Sequence, residues 1–224
     1  MTSTKVYLET GSKRVFACAL DWPGWCRLGR TDDEALSRLA EYAPRYAVVV
    51  SAAGLDVSDL SAPTFGVVEH LDGSATTDFG APGAFAFADR EPASASEAGR
   101  LVALVLAAWD IFEDVAARAP ECLAKGPRGG GRDRDRMQQH VLGAETAYGR
   151  KLDLRPLEPR LEDRASVDAL HRAIERALRE RLPAATVTGG GWPPRFAARR
   201  IAWHVLDHAW EIEDRGGLTP RMAP

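Results

Sequence analysis

His204 and His208 stand four residues apart in the run Trp203-His204-Val205-Leu206-Asp207-His208, and on a helix that interval stacks two imidazoles one turn apart on the same face. Such a pair suits joint coordination of one metal ion. At about 100° per residue, Arg200, His204, Asp207, His208 and Glu211 share one narrow arc. Asp207 and Glu211 are therefore the candidate catalytic carboxylates, placed to orient a histidine from behind or to serve as a base. Ile201, Val205 and Ile212 flank the arc on one side, and Phe196, Trp203, Leu206 and Trp210 on the other. A helix apolar on both flanks is predicted to be buried over most of its circumference, so its polar arc needs an interior cavity or cleft.

His140 is the third candidate ligand. In a second predicted helix it projects the same way as Met137, Ala144, Ala147 and Tyr148, which form the apolar face, so it is expected to point inward. The small residues Gly143, Ala144 and Ala147 around it leave room for a close helix, an ion or a ligand. Two histidines from one helix and one from another make a three-nitrogen site with an open position, the arrangement of catalytic rather than structural zinc. Nickel, iron or manganese would also accept it. Taken singly, each part has a plainer reading: a polar arc with a histidine pair suits a solvated face, and one inward histidine suits a hydrogen-bonded core. The metal reading rests on the combination, since three of only five histidines fall on mutually consistent faces. His70, in a strand, and His171, on a charged helix surface, are not expected to join them.

The elements that must carry these side chains predict an α+β fold in two parts. Short β-type runs at 5–9 and 14–21 precede turn chemistry at Pro23-Gly24. Thr31, with Glu34 three residues on, opens a helix whose apolar stripe continues through Leu36 and Leu39 to about Ala53. A further β-type run at 64–71 leads into a Gly/Pro/Ala-rich stretch. Residues 1–75 are thus read as a small α/β domain, 76–93 as a linker, and 94–216 as a four-helix bundle. Its helices are predicted at about 94–118, 133–152, 166–182 and 194–214, the first capped by Ser94 with Glu97 and the third by Ser166.

Composition bounds the function. The 224 residues are 45% hydrophobic and 27% charged, ample for a core, and no apolar run is long enough to span a membrane. The start of the chain has no apolar signal region. Cys18, Cys26 and Cys122, an odd number without ligand spacing, favour a reducing compartment, so a cytoplasmic location is expected. A net charge of -3 offers no general attraction to phosphate backbones. The one dense basic stretch, Lys125 to Arg136, interleaves Asp133 and Asp135 and lacks aromatic residues, so neither nucleic acid nor membrane is an expected partner. The stretch reads as a flexible loop, although Arg128, Arg132 and Arg134 stand near a helix N-terminus where an anionic group would be favoured. Cys26, after a turn, is a candidate reactive thiol with nothing nearby to lower its pKa. Asp78-Phe79-Gly80 spells a kinase tripeptide without the lysine, Gly-rich loop or catalytic loop that would give it meaning.

The segment 136–152, with its histidine before Val-Leu-Gly-Ala-Glu, resembles the second helix of the DinB-like superfamily. Residues 198–214 resemble that family's closing HxxxH helix, which supplies two of its three metal-binding histidines. The resemblance assigns the three ligand positions to His140, His204 and His208. It implies a metal-dependent enzyme working with a low-molecular-weight thiol and an electrophilic substrate, of S-transferase or isomerase type, because the superfamily includes mycothiol-dependent maleylpyruvate isomerase. A bound divalent ion would lower the pKa of a coordinated thiol or water and so generate a nucleophile at neutral pH.

The N-terminal run Ala19-Leu-Asp-Trp-Pro-Gly-Trp-Cys, followed by Gly29, Thr31, Glu34, Ala35 and Leu36, resembles the HicB-like fold. Members of that family often act as antitoxins or interaction modules. Trp22 and Trp25 bracket the turn and suit either a binding surface or the packing of a small sheet. The resemblance implies a competing reading: a noncatalytic regulatory protein whose HicB-like domain holds a partner, with a homodimer built on the bundle.

Overall fold

The computed structural model describes residues 3–126, 131–187 and 189–221 and is α+β: a four-stranded sheet at the N-terminal end, then a helical region. Strands β1 (Thr4–Thr10) and β2 (Val15–Ala19) form a hairpin whose turn is closed by Gly11 N–H donating to Arg14 C=O at 2.8 Å. β3 (Cys26–Gly29) pairs with β2, and β4 (Phe65–Asp72) returns parallel to β1, giving the order β3-β2-β1-β4. Parallel neighbours need a crossover. Here it is α1 (Asp32–Glu41) and α2 (Ala43–Ala52).

Strand alternation sends side chains to two covered faces. Val6, Leu8, Val15, Ala17 and Ala19 join the main core with Leu39 of α1 and Tyr46 of α2, while Tyr7, Phe16, Cys18 and Cys26 face Ala81, Ala86 and Trp203. A sheet covered on both faces has strands that read as unbroken apolar runs, as β2 does. Two features depart from the predicted elements. β3 was not expected; it is only four residues long and interrupted by Arg27. The helix predicted to run from Thr31 to Ala53 breaks at Tyr42, where Pro44 in the first turn of α2 lacks the N–H that a continuous helix requires.

The stretch 76–93, read as a linker, is packed against the sheet. It begins within α3 (Ala75–Phe79) and carries a 3-10 turn, Phe87–Arg90. The fully buried Glu9 of β1 draws it in, its carboxylate accepting from the Thr77 hydroxyl and, at 2.9 Å, from the Gly83 and Ala84 N–H groups. Asp89, also fully buried, accepts from Ala86 N–H at 2.7 Å and from the Arg199 guanidinium at 2.7 Å.

The four long helices are α4 (Ala95–Arg118), α5 (Arg134–Lys151), α6 (Arg164–Arg181) and α7 (Pro194–Arg215), close to their predicted bounds. Ser94 caps α4 by accepting from Glu97 N–H, as expected, but α6 is capped by Asp163, which accepts from both the backbone and hydroxyl of Ser166. The α5 face also differs from the expectation. Met137, Val141, Leu142, Glu145, Thr146 and Gly149 are its buried positions, Ala147 is exposed, and His140, Ala144 and Tyr148 lie half-buried along the edge. Burial of the Glu145 carboxylate, explained below, sets this rotation.

One core runs through both parts: Trp25 and Tyr46 belong to the same cluster as Leu104, Val205 and Trp210. Removing a partner from a buried ion pair strands the other charge. Asp89→Ala is therefore expected to lower unfolding stability by about 3–5 kcal/mol, with Asp89→Leu/Arg199→Met recovering much of it. Urea unfolding of the three proteins checks this.

Candidate metal centre

Helix α7 is positioned from the sheet side. Gly24, at φ +96, lies so close to it that a Cβ there would stand 2.5 Å from Leu206 Cδ1. The Pro23–Gly24 turn is therefore a glycine-dependent seat for the helix. Tyr46 donates its hydroxyl to Pro23 C=O at 2.8 Å, and Trp25 stacks on Tyr46 at 5.4 Å while its indole N–H donates to Leu39 C=O. Trp22 packs edge-on against Tyr46. The tryptophans at this turn thus pack the domain. Further along α7, Phe16 meets Trp203 edge-on at 6.0 Å, and Tyr42 meets Trp210 at 5.1 Å.

With one side of α7 held this way, the other presents His204 and His208 to His140 of α5. Ring centroids are 5.2 Å apart for His140–His204, 5.0 Å for His140–His208 and 4.6 Å for His204–His208. One nitrogen from each ring lies within 4.8 Å of the other two. Nitrogens on a tetrahedral zinc stand about 3.3–3.5 Å apart at the usual zinc–nitrogen distance. The His140 and His208 rings are half-buried and the His204 ring is buried. His204 is 8% exposed, and its Nδ1 is buried without a hydrogen-bond partner among the described residues. A buried polar atom left unpaired is costly and calls for a ligand.

The surroundings of His140 and His204 favour the neutral imidazole, the form that binds metal. Burial, then the positive charges that His208 and Arg200 bring, push His204 well below its ordinary value of 6.5. Burial also lowers His140, with His208 and Arg132 adding to it. Glu211 accepts from His208 Nδ1–H at 3.0 Å and from Arg215 at 2.7 Å, and the His208 bond, chiefly, holds its carboxyl below the usual range. A carboxylate behind a histidine fixes the tautomer and leaves Nε2 as the ligand atom. Tyr148 stands edge-on to His204 at 5.7 Å and completes the wall.

No family model, curated protein or solved structure matches this chain. Its own residues carry the argument.

The structure brings His140, His204, His208 and Glu211 together and sets Asp207 apart from them. Asp207 accepts from Arg27 of β3 at 3.0 Å, and that guanidinium lies between the rings of Tyr42, at 4.0 Å, and Trp210, at 4.4 Å. Asp207 is thus a strut between sheet and helix. His70 sits in β4, as expected. His171 does not lie on a charged surface: it stacks on Trp109 at 4.1 Å, and its Nε2 lies 3.1 Å from the buried Glu145 carboxylate, which also accepts from Trp109 Nε1–H. That trio joins α4, α5 and α6 and was missed because a glutamate inside a helical repeat reads as a surface residue. Cys26 is buried beside Cys18, its partner across β2 and β3, and burial pushes its thiol up, the opposite of a reactive cysteine. Asp78 anchors the β1–β2 turn through Ser12 and Lys13. Of the loop arginines, Arg134 is tied to Asp135 and Ala119 C=O, Arg132 is exposed, and Arg128 lies outside the described residues.

In the metal-free protein, NMR titration should find His204 protonating well below pH 6.5. Because the folded value is depressed, the unfolded chain gains a proton first as pH falls through about 6.5. The group therefore costs the folded state stability below that pH and nothing above it. A midpoint at or above 6.5 would contradict the arrangement.

Proposed function

We propose that this chain binds one divalent metal ion through His140, His204 and His208, and that it is a metal-dependent enzyme acting with a low-molecular-weight thiol. The observation that carries the metal reading is the convergence of three imidazoles from two helices, each with a ligand atom within 4.8 Å of the others. The unpaired Nδ1 of His204 supports it. Three neutral nitrogen donors fit zinc best, with nickel, iron and manganese as alternatives. The thiol reading rests on the resemblance of the α5 and α7 sequences to the DinB-like superfamily.

A bound ion would supply an acidified thiol or water at the coordination position that three protein ligands leave open. The remaining roles belong to the protein. His140 and His204 present unprotonated rings because burial disfavours their charged forms. Glu211 keeps His208 in one tautomer and stays ionised at neutral pH, so it is also the carboxylate placed to accept a proton. Tyr148 and Trp203 shield His204 from solvent. Arg27 holds Asp207, and through it α7, in register with the sheet.

Metal analysis of protein purified without chelator should find about one ion per chain, lost when His204 and His208 are both replaced by alanine. Full retention in that variant would end the proposal. Glu211→Gln, which keeps a weaker acceptor behind His208, is expected to weaken zinc binding about 10–100-fold, measured by competition with a chromophoric chelator.

A further inference from the structure

Arg200 lies one turn before His204 on α7, half-buried, with its guanidinium over the rings of Trp203 at 4.6 Å and Tyr148 at 5.3 Å. Its Nη1 is buried and donates to nothing, and the side chain has no ion pair among the described residues. The nearby carboxylates are committed elsewhere: Glu211 to His208 and Arg215, Asp207 to Arg27. Arg199, the neighbouring residue, pairs both terminal nitrogens with Asp89, although its Nε is also buried without a partner among the described residues. Leaving a buried N–H donor of a guanidinium unpaired costs more than a neutral orphan would. Arg132, at the start of the α5 segment, adds a second positive charge with no ion pair among the described residues.

We propose that Arg200 binds the carboxylate of a small molecule whose sulfur or oxygen is held at His140, His204 and His208. The inference rests on the metal reading above and adds the charge of the ligand to it. The charges of Arg200 and Arg132 both help depress His204, so both arginines act electrostatically on the histidine site. One helical turn, about 5.4 Å along the axis, separates Arg200 from His204, which suits a ligand with two or three carbons between its carboxylate and its metal-binding atom. A planar guanidinium gripped by two rings is preorganised for a carboxylate's paired oxygens. The rings exclude water from its faces, which strengthens the pairing.

The test uses cobalt(II)-loaded protein, whose sulfur-to-cobalt absorption reports a bound thiolate. It is titrated with 3-mercaptopropionate and with its neutral analogue 3-mercaptopropan-1-ol. The wild-type protein is expected to prefer the carboxylate about tenfold or more, as one charge-assisted hydrogen bond provides. Arg200→Met is expected to abolish the preference while leaving the neutral thiol unchanged.

If the two thiols bind equally but maleate perturbs the cobalt–mercaptopropanol spectrum in the wild type and not in Arg200→Met, the carboxylate belongs to a second molecule, and its assignment to the ligand held at the histidines is overturned. Equal binding of both thiols with no arginine-dependent effect of maleate overturns the proposal. Failure of the protein to take up cobalt at all is a separate result, which overturns the metal reading and this inference with it.

Discussion

The burial of α7 constrains the rest of this structure. Its N-terminal half is covered on every side, with Arg195, Arg199, Trp203 and His204 all nearly inaccessible. A charged or polar group placed on such a helix must find a partner, because losing its hydration costs more than most single contacts return. Arg195 reaches Glu97 at 2.7 Å and the backbone oxygens of Glu91 and Pro92. Arg199 reaches Asp89, and Asp207 reaches Arg27. These pairs lock α7 to α4, to the 76–93 stretch and to the sheet. What remains on α7 among the described residues includes the buried, unpaired His204 Nδ1 and Arg200 Nη1, beside single nitrogens of Arg199 and Arg215.

That remainder links fold to function. The small sheet serves as a platform: Phe16, Tyr42 and Arg27 fix the angle of α7, Gly24 allows the helix to approach, and the histidines consequently meet α5. Helix α5 is in turn set by the buried Glu145, whose ties to Trp109 and His171 orient it so that His140 lies along the α7 side. A three-imidazole set needs its donors held to within a fraction of an ångström. Two helices anchored by polar contacts, α5 through Glu145 and α7 through Arg199, carry these three imidazoles.

Much of this was legible in the sequence, for local reasons. The i,i+4 histidine pair, the α7 flanks, the caps at Thr31 and Ser94 and the bounds of the four long helices follow from 3.6-residue periodicity and capping chemistry, which act within a turn or two. The unread features depend on distant residues. Arg27 and Asp207 are 180 positions apart, so Asp207 read as a site carboxylate because its neighbours in sequence were histidines. His171 reads from sequence as part of a charged helix surface, since the indole and carboxylate that bury it come from α4 and α5. The break at Tyr42 was signalled by Pro44, yet an unbroken apolar stripe outweighed it. The 76–93 stretch looks loose in composition and is nonetheless held by two buried carboxylates, Glu9 and Asp89.

The account stands on one ion held by three imidazoles from two helices. X-ray absorption at the zinc edge of the loaded protein measures this most directly. The expected spectrum shows three imidazole nitrogens at about 2.0–2.1 Å with one further oxygen or one sulfur ligand, falling to two imidazoles in His140→Ala. A wild-type spectrum with fewer than three imidazoles, or one that His140→Ala leaves unchanged, would contradict it.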